Sequence, residues 1–125
     1  MSQAQTVRLR QEHFWRGLFF ITIALVIGFA CAPALPAGLP LLNDKLLHFG
    51  AFAALTVMAL LAFRKARAVM VLMGLSGLGL AIELLQAMPF INRSAEGMDW
   101  LVDVLAIAFL LVLARAFKYL AAAGR

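Results

Sequence analysis

Residues 44–63 read DKLLHFGAFAALTVMALLAF. After Lys45 no lysine, arginine or acidic residue occurs until Arg64, and only His48 and Thr56 interrupt the apolar run. At about 1.5 Å rise per residue, a helix of this length crosses a bilayer core of about 30 Å. The rest of the chain excludes the alternative of a buried helix in a soluble protein. Of its 125 residues 65% are hydrophobic and 14% charged, whereas roughly 45–50% apolar is usual in a soluble domain. A water-soluble globule is ruled out. The length allows one domain, 1–125, so whatever the chain does is done by apolar helices and the polar residues among them.

Three further runs flank this one. Upstream, residues 17–35 read GLFFITIALVIGFACAPAL and are closed by Pro33, Pro36 and Pro40, which lack the amide N–H a helix needs. Downstream, residues 68–88 stop before Pro89, and residues 98–119 form the last run. Asn43 or Asp44 is placed to cap the second helix. The connections are short, so consecutive helices are expected to be antiparallel neighbours. The expected fold is all-α: a polytopic membrane protein built as an antiparallel four-helix transmembrane bundle with spans 17–35, 44–63, 68–88 and 98–119.

The first run also has the features of a signal peptide, with basic residues, an apolar stretch and small residues through Ala30, Cys31, Ala32 and Ala34. The prolines after Ala32 are poor neighbours for cleavage, and the run is read as a retained span. Cys31 is the chain's one cysteine, so neither a disulfide nor a thiolate metal cluster is expected.

Charge orients the spans, because lysine and arginine flanking a helix are retained in the cytoplasm. Nine of the eleven basic residues, Arg8, Arg10, Arg16, Arg64, Lys65, Arg67, Arg115, Lys118 and Arg125, fall on one side if both termini and the second loop share it. The other side holds Asp44, Glu83, Glu96, Asp99 and Asp103, five of the six acids, with Lys45, His48 and Arg93. Both termini are therefore expected in the cytoplasm. The net charge of +5 is read as topological, because no basic stripe with interleaved aromatics suggests nucleic acid.

Counted from the helix ends, His48, Glu83 and Asp103 lie at similar depths below the outer face. An ionisable side chain within a span is costly, about 2.5–3.5 kcal/mol on insertion scales, and such groups usually face a bundle interior or wet cavity. Helical spacing pairs Asp44 with His48, Glu83 with Gln86, and Asp99 with Asp103, so three helices each bring a polar pair to one end. His48, Glu83, Gln86 and Asp103 are expected to converge there, joined by Asn92, Arg93 and Ser94 from the third loop. Plainer roles stand beside this: Asp44 and Asp99 as helix caps, Lys45 and Arg93 snorkelling to phosphates, and His48, Glu83 and Asp103 as an interhelical network. Gly50 with Ala54, and Gly74, Gly77 and Ala81, are spaced for close helix packing. Trp15, Phe19, Phe20 and Trp100 read as core or interface aromatics.

From Asn43 to Leu111 the chain resembles the VanZ-like membrane proteins. The likeness rests on Asp44-Lys45-Leu46-Leu47-His48-Phe49, on Glu83-Leu84-Leu85-Gln86, and on Arg93-Ser94 followed by Asp99. In that family the fourth helix usually continues as Asp, three residues, Asn, two residues, Gly; the corresponding positions here are Asp99, Asp103 and Ala106, a departure at the last two. The resemblance implies a bacterial integral membrane protein. One member of the family is associated with low-level resistance to the glycopeptide teicoplanin.

The leading functional expectation is an outward-facing pocket for a membrane lipid, a lipid-linked envelope precursor or a glycopeptide. Its ligand-binding set is Asp44, Lys45, His48, Glu83, Gln86, Arg93, Ser94, Asp99 and Asp103, with Lys45 and Arg93 on phosphate. A membrane-embedded enzyme is the alternative, with Glu83, His48 and Asp103 as catalytic candidates, Glu83 or His48 acting as general base and Arg93 stabilising an anion. No cofactor is expected, although His48, Glu83 and Asp103 together suit a divalent metal such as zinc or manganese. Intramembrane Asp, Glu and His also serve proton relays, and a helper subunit would use the same network for packing.

Overall fold

The computed structural model describes residues 2–32, 44–91 and 96–124. Four helices account for nearly all of them: α1 (Gln3–Cys31), α2 (Asp44–Ala62), α3 (Ala68–Gln86) and α4 (Gly97–Ala123), with no strand among the described residues. All four are long and apolar enough to cross a membrane.

The starts of α2 and α3, and of α4 to within one residue, fall where the sequence places them, whereas the start of α1 and the ends of α3 and α4 differ. α1 begins at Gln3, not near Gly17, because a capping box starts it: Gln5 N donates to Ser2 Oγ at 3.4 Å, and Ser2 N donates to Gln5 Oε1 at 3.1 Å. Hydropathy marks what enters lipid; the helix itself continues through the polar segment. α4 likewise runs past Tyr119 to Ala123. α3 stops at Gln86, short of Met88. Pro89 disfavours helical backbone at the residue before it, and the chain leaves the helix through a turn. Pro33, Pro36 and Asn43 lie outside the described residues.

α2 packs chiefly against α1 and α4, and α3 chiefly against α4. The buried face of α2 is Phe52, Leu55, Thr56, Ala59 and Ala62, spaced three or four residues apart as one helical stripe. Facing it are Val71, Leu75 and Ile82 of α3 and Ala106 and Ile107 of α4, with Phe19 of α1 at the margin. The Thr56 hydroxyl donates to Phe52 O at 2.7 Å, so this buried polar group is satisfied within its own helix.

Arg16 locks α1 to the end of α2. Its Nε donates to the Ala62 carbonyl at 3.2 Å, one of the helix-end acceptors without an intrahelical partner, and its guanidinium lies 5.4 Å from the Phe63 ring centre. The C-terminal halves of α2 and α4 also face each other across a groove lined by Leu60, Leu61, Leu113 and Phe117. Arg16, Arg64, Lys65, Arg67, Arg115 and Lys118 thus gather toward one end of the fold. Lys45 and His48 meet Asp99 and Asp103 at the other.

The close-packing stripes read from the sequence are not where the helices approach. A Cβ on Gly50, Gly74 or Gly77 would meet nothing within 4 Å. Gly79 instead makes the tight contact, with Asp103 Oδ2 2.8 Å, and Phe52 Cζ and Trp100 Cδ1 each 3.4 Å, from where its Cβ would be. α3 buries the face Val71, Leu75, Gly79, Ile82 and turns Gly74, Gly77 and Ala81 outward.

Candidate functional site

Two rungs join the N-terminal turns of α2 and α4. In the first, Lys45 Nζ lies 3.0 Å from Glu96 Oε2 and 3.4 Å from Asp99 Oδ1. In the second, His48 Nδ1 lies 3.0 Å from Asp103 Oδ1. The rungs repeat because Asp99 and Asp103 are four residues apart on α4, and Lys45 and His48 three apart on α2. Asp99 is 2% exposed and Asp103 fully buried. An ionised carboxylate only accepts hydrogen bonds, so beside an ionised Asp103 the His48 Nδ1 carries a proton, and in the neutral ring Nε2 then carries the lone pair.

The second oxygen of Asp103, Oδ2, is pressed against α3 at Gly79 and has no hydrogen-bond partner among the described residues. One turn further along α3 from Gly79 stands Glu83, 7% exposed, with neither carboxyl oxygen partnered among the described residues. Its charged neighbours are Asp99, His48 and Asp103. Glu83 is thus set beside the first turns of α4. A stripe of one small and one acidic residue on α3 makes this possible: Gly79 admits the Asp103 carboxylate, and Glu83 follows on the same face.

Of the residues the sequence singled out, His48 and Asp103 touch, and Lys45 and Asp99 touch. Gln86 is buried, but its Nε2 donates to the Ala30 carbonyl at 3.2 Å, tying α3 to the end of α1. Asp44 is exposed in the first turn of α2, and one of its oxygens, a nitrogen of His48 and an oxygen of Asp99 all lie within 4.8 Å of one another. Asp99 sits in the first turn of α4, where its charge complements the helix dipole, and its side chain reaches Lys45. Asn92, Arg93 and Ser94 lie outside the described residues.

Three contributors escaped the sequence reading. Glu96 partners Lys45, which spacing alone does not show because the two are on different helices. Gly79 is the seat of Asp103. The Ser76 carbonyl accepts from Trp100 Nε1 at 3.0 Å, fixing the entry of α4 against α3; an aromatic with a polar tip near an interface was the available signal.

Chemically, among the described residues, the cluster is a set of carboxyl acceptors, buried at Glu83, Asp99 and Asp103, with one imidazole and one ammonium. Beneath it, Ala106, Ile107, Leu55, Ala59 and Leu75 form an apolar layer. Compared with protein-family models, curated proteins and solved structures, the chain matches none.

Proposed function

We propose that the chain is a VanZ-like protein of a bacterial inner membrane, an antiparallel four-helix transmembrane bundle with both termini cytoplasmic. Its acidic end is an outward-facing pocket that binds the polar headgroup of a lipid, a lipid-linked envelope precursor or a glycopeptide. The supporting observation is the set of buried, unpartnered oxygens: Glu83 Oε1 and Oε2 and Asp103 Oδ2. A buried acceptor left without a donor costs about 1–3 kcal/mol, and more if charged. Hydroxyl or ammonium groups of a headgroup supply donors beyond the Glu96 backbone N–H that stands near Glu83. The charge asymmetry supports the orientation, with the basic end in the cytoplasm.

A second reading, an enzyme acting on an envelope substrate, is favoured by one contact. Asp103 holds His48 in a defined tautomer, the arrangement by which a carboxylate orients an imidazole base. A proton path has no comparable support, since the layer beneath the cluster is apolar and the hydroxyls of Thr56 and Thr22 are bonded back to their own helices.

Native mass spectrometry of the detergent-purified chain tests the binding reading. The expected result is a co-purifying headgroup-bearing species, retained less by Lys45→Ala and Glu83→Gln. A wild-type protein that carries none, and whose melting temperature does not respond to added envelope lipids, would overturn it.

A further inference from the structure

The acidic end poses an electrostatic problem that a headgroup alone does not solve. Among the described residues, Asp44, Glu83, Glu96, Asp99 and Asp103 gather around one lysine, Lys45, and one imidazole, His48. Five carboxyls against one ammonium in a low-dielectric setting repel a phosphate instead of drawing it in. Lys45 is itself engaged by Glu96 and Asp99.

We infer that Asp44, His48 and Asp99 bind a divalent transition-metal ion, zinc or manganese, at the mouth of this cluster. The inference rests on the reading of the acidic end as a ligand pocket and deepens it by supplying the cation through which a phosphate or other anionic headgroup is held.

Three observations carry it. First, the ligand atoms of Asp44, His48 and Asp99 lie within 4.8 Å of one another. Bonds of about 2.0–2.2 Å to a shared ion hold tetrahedral ligands about 3.4 Å apart, so the three side chains close by up to about 1.4 Å on binding. Second, His48 is oriented from behind. Its Nδ1 faces Asp103 at 3.0 Å, so Nε2 is the nitrogen left for an ion, in the carboxylate–histidine–metal arrangement in which the outer carboxylate sets the ring's tautomer. Third, Glu83, more than nine-tenths buried, has two oxygens without a hydrogen-bond partner among the described residues and lies within electrostatic range of Asp99, His48 and Asp103. Carboxyls gathered this way answer a positive charge. The mixed imidazole and carboxylate donors favour zinc or manganese over calcium or magnesium, which take oxygen donors. Three protein ligands leave coordination positions open for a headgroup oxygen. Lys45, 41% exposed at its side chain, keeps Glu96 as partner when Asp99 turns to the ion.

The test uses the full chain in detergent, stripped with chelator, and titrated with Zn²⁺ or Mn²⁺ alone, with Mg²⁺ as control. Calorimetry and the Mn²⁺ paramagnetic resonance signal are the readouts. One ion per chain is expected. Asp44→Asn, an isosteric change at an exposed position in the first turn of α2, should weaken binding at least as much as the about 10–100-fold expected for Asp103→Asn, whose residue only positions His48. The absence of stoichiometric Zn²⁺ or Mn²⁺ binding by the wild type would overturn the inference. So would binding undiminished in both Asp44→Asn and His48→Gln, which would assign the ion elsewhere, His13 included. Headgroup retained by chelator-stripped protein that binds no metal removes the ion alone. Metal bound without any headgroup leaves the ion site standing and removes the headgroup reading.

Discussion

The carboxylate of Asp103 occupies the place where a side chain at Gly79 would begin, with Oδ2 2.8 Å from the position of that missing Cβ. The same carboxylate is held from the other side by His48 at 3.0 Å. It therefore has nowhere to retreat. Gly79→Ala should displace Asp103 and break its contact with His48, a strain of about 1–3 kcal/mol that outweighs or cancels the roughly 1 kcal/mol alanine gains as a helix former. Gly77→Ala meets open space and should be neutral or stabilising. Thermal melts of both variants in detergent check the contrast; equal melting temperatures would show that Asp103 is not wedged.

The His48–Asp103 rung should behave as a coupled pair. His48→Ala removes the one partner that a fully buried carboxylate has among the described residues, and breaking a buried pair from one side costs about 3–5 kcal/mol. Removing both residues relieves the orphaned charge, so the double variant should be less destabilised than the sum of the singles, by about 0.5–3 kcal/mol. Denaturation in mixed micelles measures all three variants. Strict additivity would mean that the contact contributes nothing of its own.

Topology can be read by cysteine labelling in a Cys31→Ala background. Under the proposed orientation, the end at which Arg16, Arg64, Lys65, Arg67, Arg115 and Lys118 cluster is the cytoplasmic one, by the retention of basic residues. An impermeant thiol reagent on intact cells should label Ala95→Cys and spare Lys65→Cys. The reverse pattern would invert the orientation and put the acidic cluster in the cytoplasm.

The four helices were legible because a bilayer imposes about 20 apolar residues on any span, and DKLLHFGAFAALTVMALLAF satisfies this without help from its neighbours. His48, Asp99 and Asp103 were legible for a related reason: charge is so costly in apolar surroundings that its recurrence at helical spacing is informative. The face of α3 that meets α4 was not. In a soluble helix, polar residues mark the outside, but Gly74, Gly77 and Ala81, which point outward, are as apolar as Leu75 and Ile82, which do not. The glycine stripe therefore suggested the wrong face, and Gly79 went unnoticed. Gln86 was read with Glu83 because three residues separate them, yet the end of α1 offered its carbonyl at Ala30, a contact made across the fold and invisible to local spacing. The start of α1 at Gln3 was missed because hydropathy reports insertion, while the Ser2–Gln5 capping box reports where a helix begins.

Glu83 separates a binding pocket from a packing network. In a packing network each polar group has a partner, and a substitution that removes one lowers stability. Glu83 has two buried oxygens with no hydrogen-bond partner among the described residues, so the fold is expected to gain little from its charge. Glu83→Gln keeps the size, one acceptor and the helix, and removes a carboxylate from a setting crowded by Asp99 and Asp103. Its melting temperature should equal or exceed that of the wild type, as when a group kept for function at the expense of stability is neutralised. Headgroup retention should fall about tenfold or more, the loss of one charge-assisted hydrogen bond of about 1.5–3 kcal/mol. Paired melting and native mass spectrometry measurements on the same preparation decide the matter. A variant that melts lower and still retains headgroup would make Glu83 a packing residue and remove it from the pocket. A variant that melts as high as the wild type and binds as well would leave the headgroup to Asp103, Asp99 and Lys45.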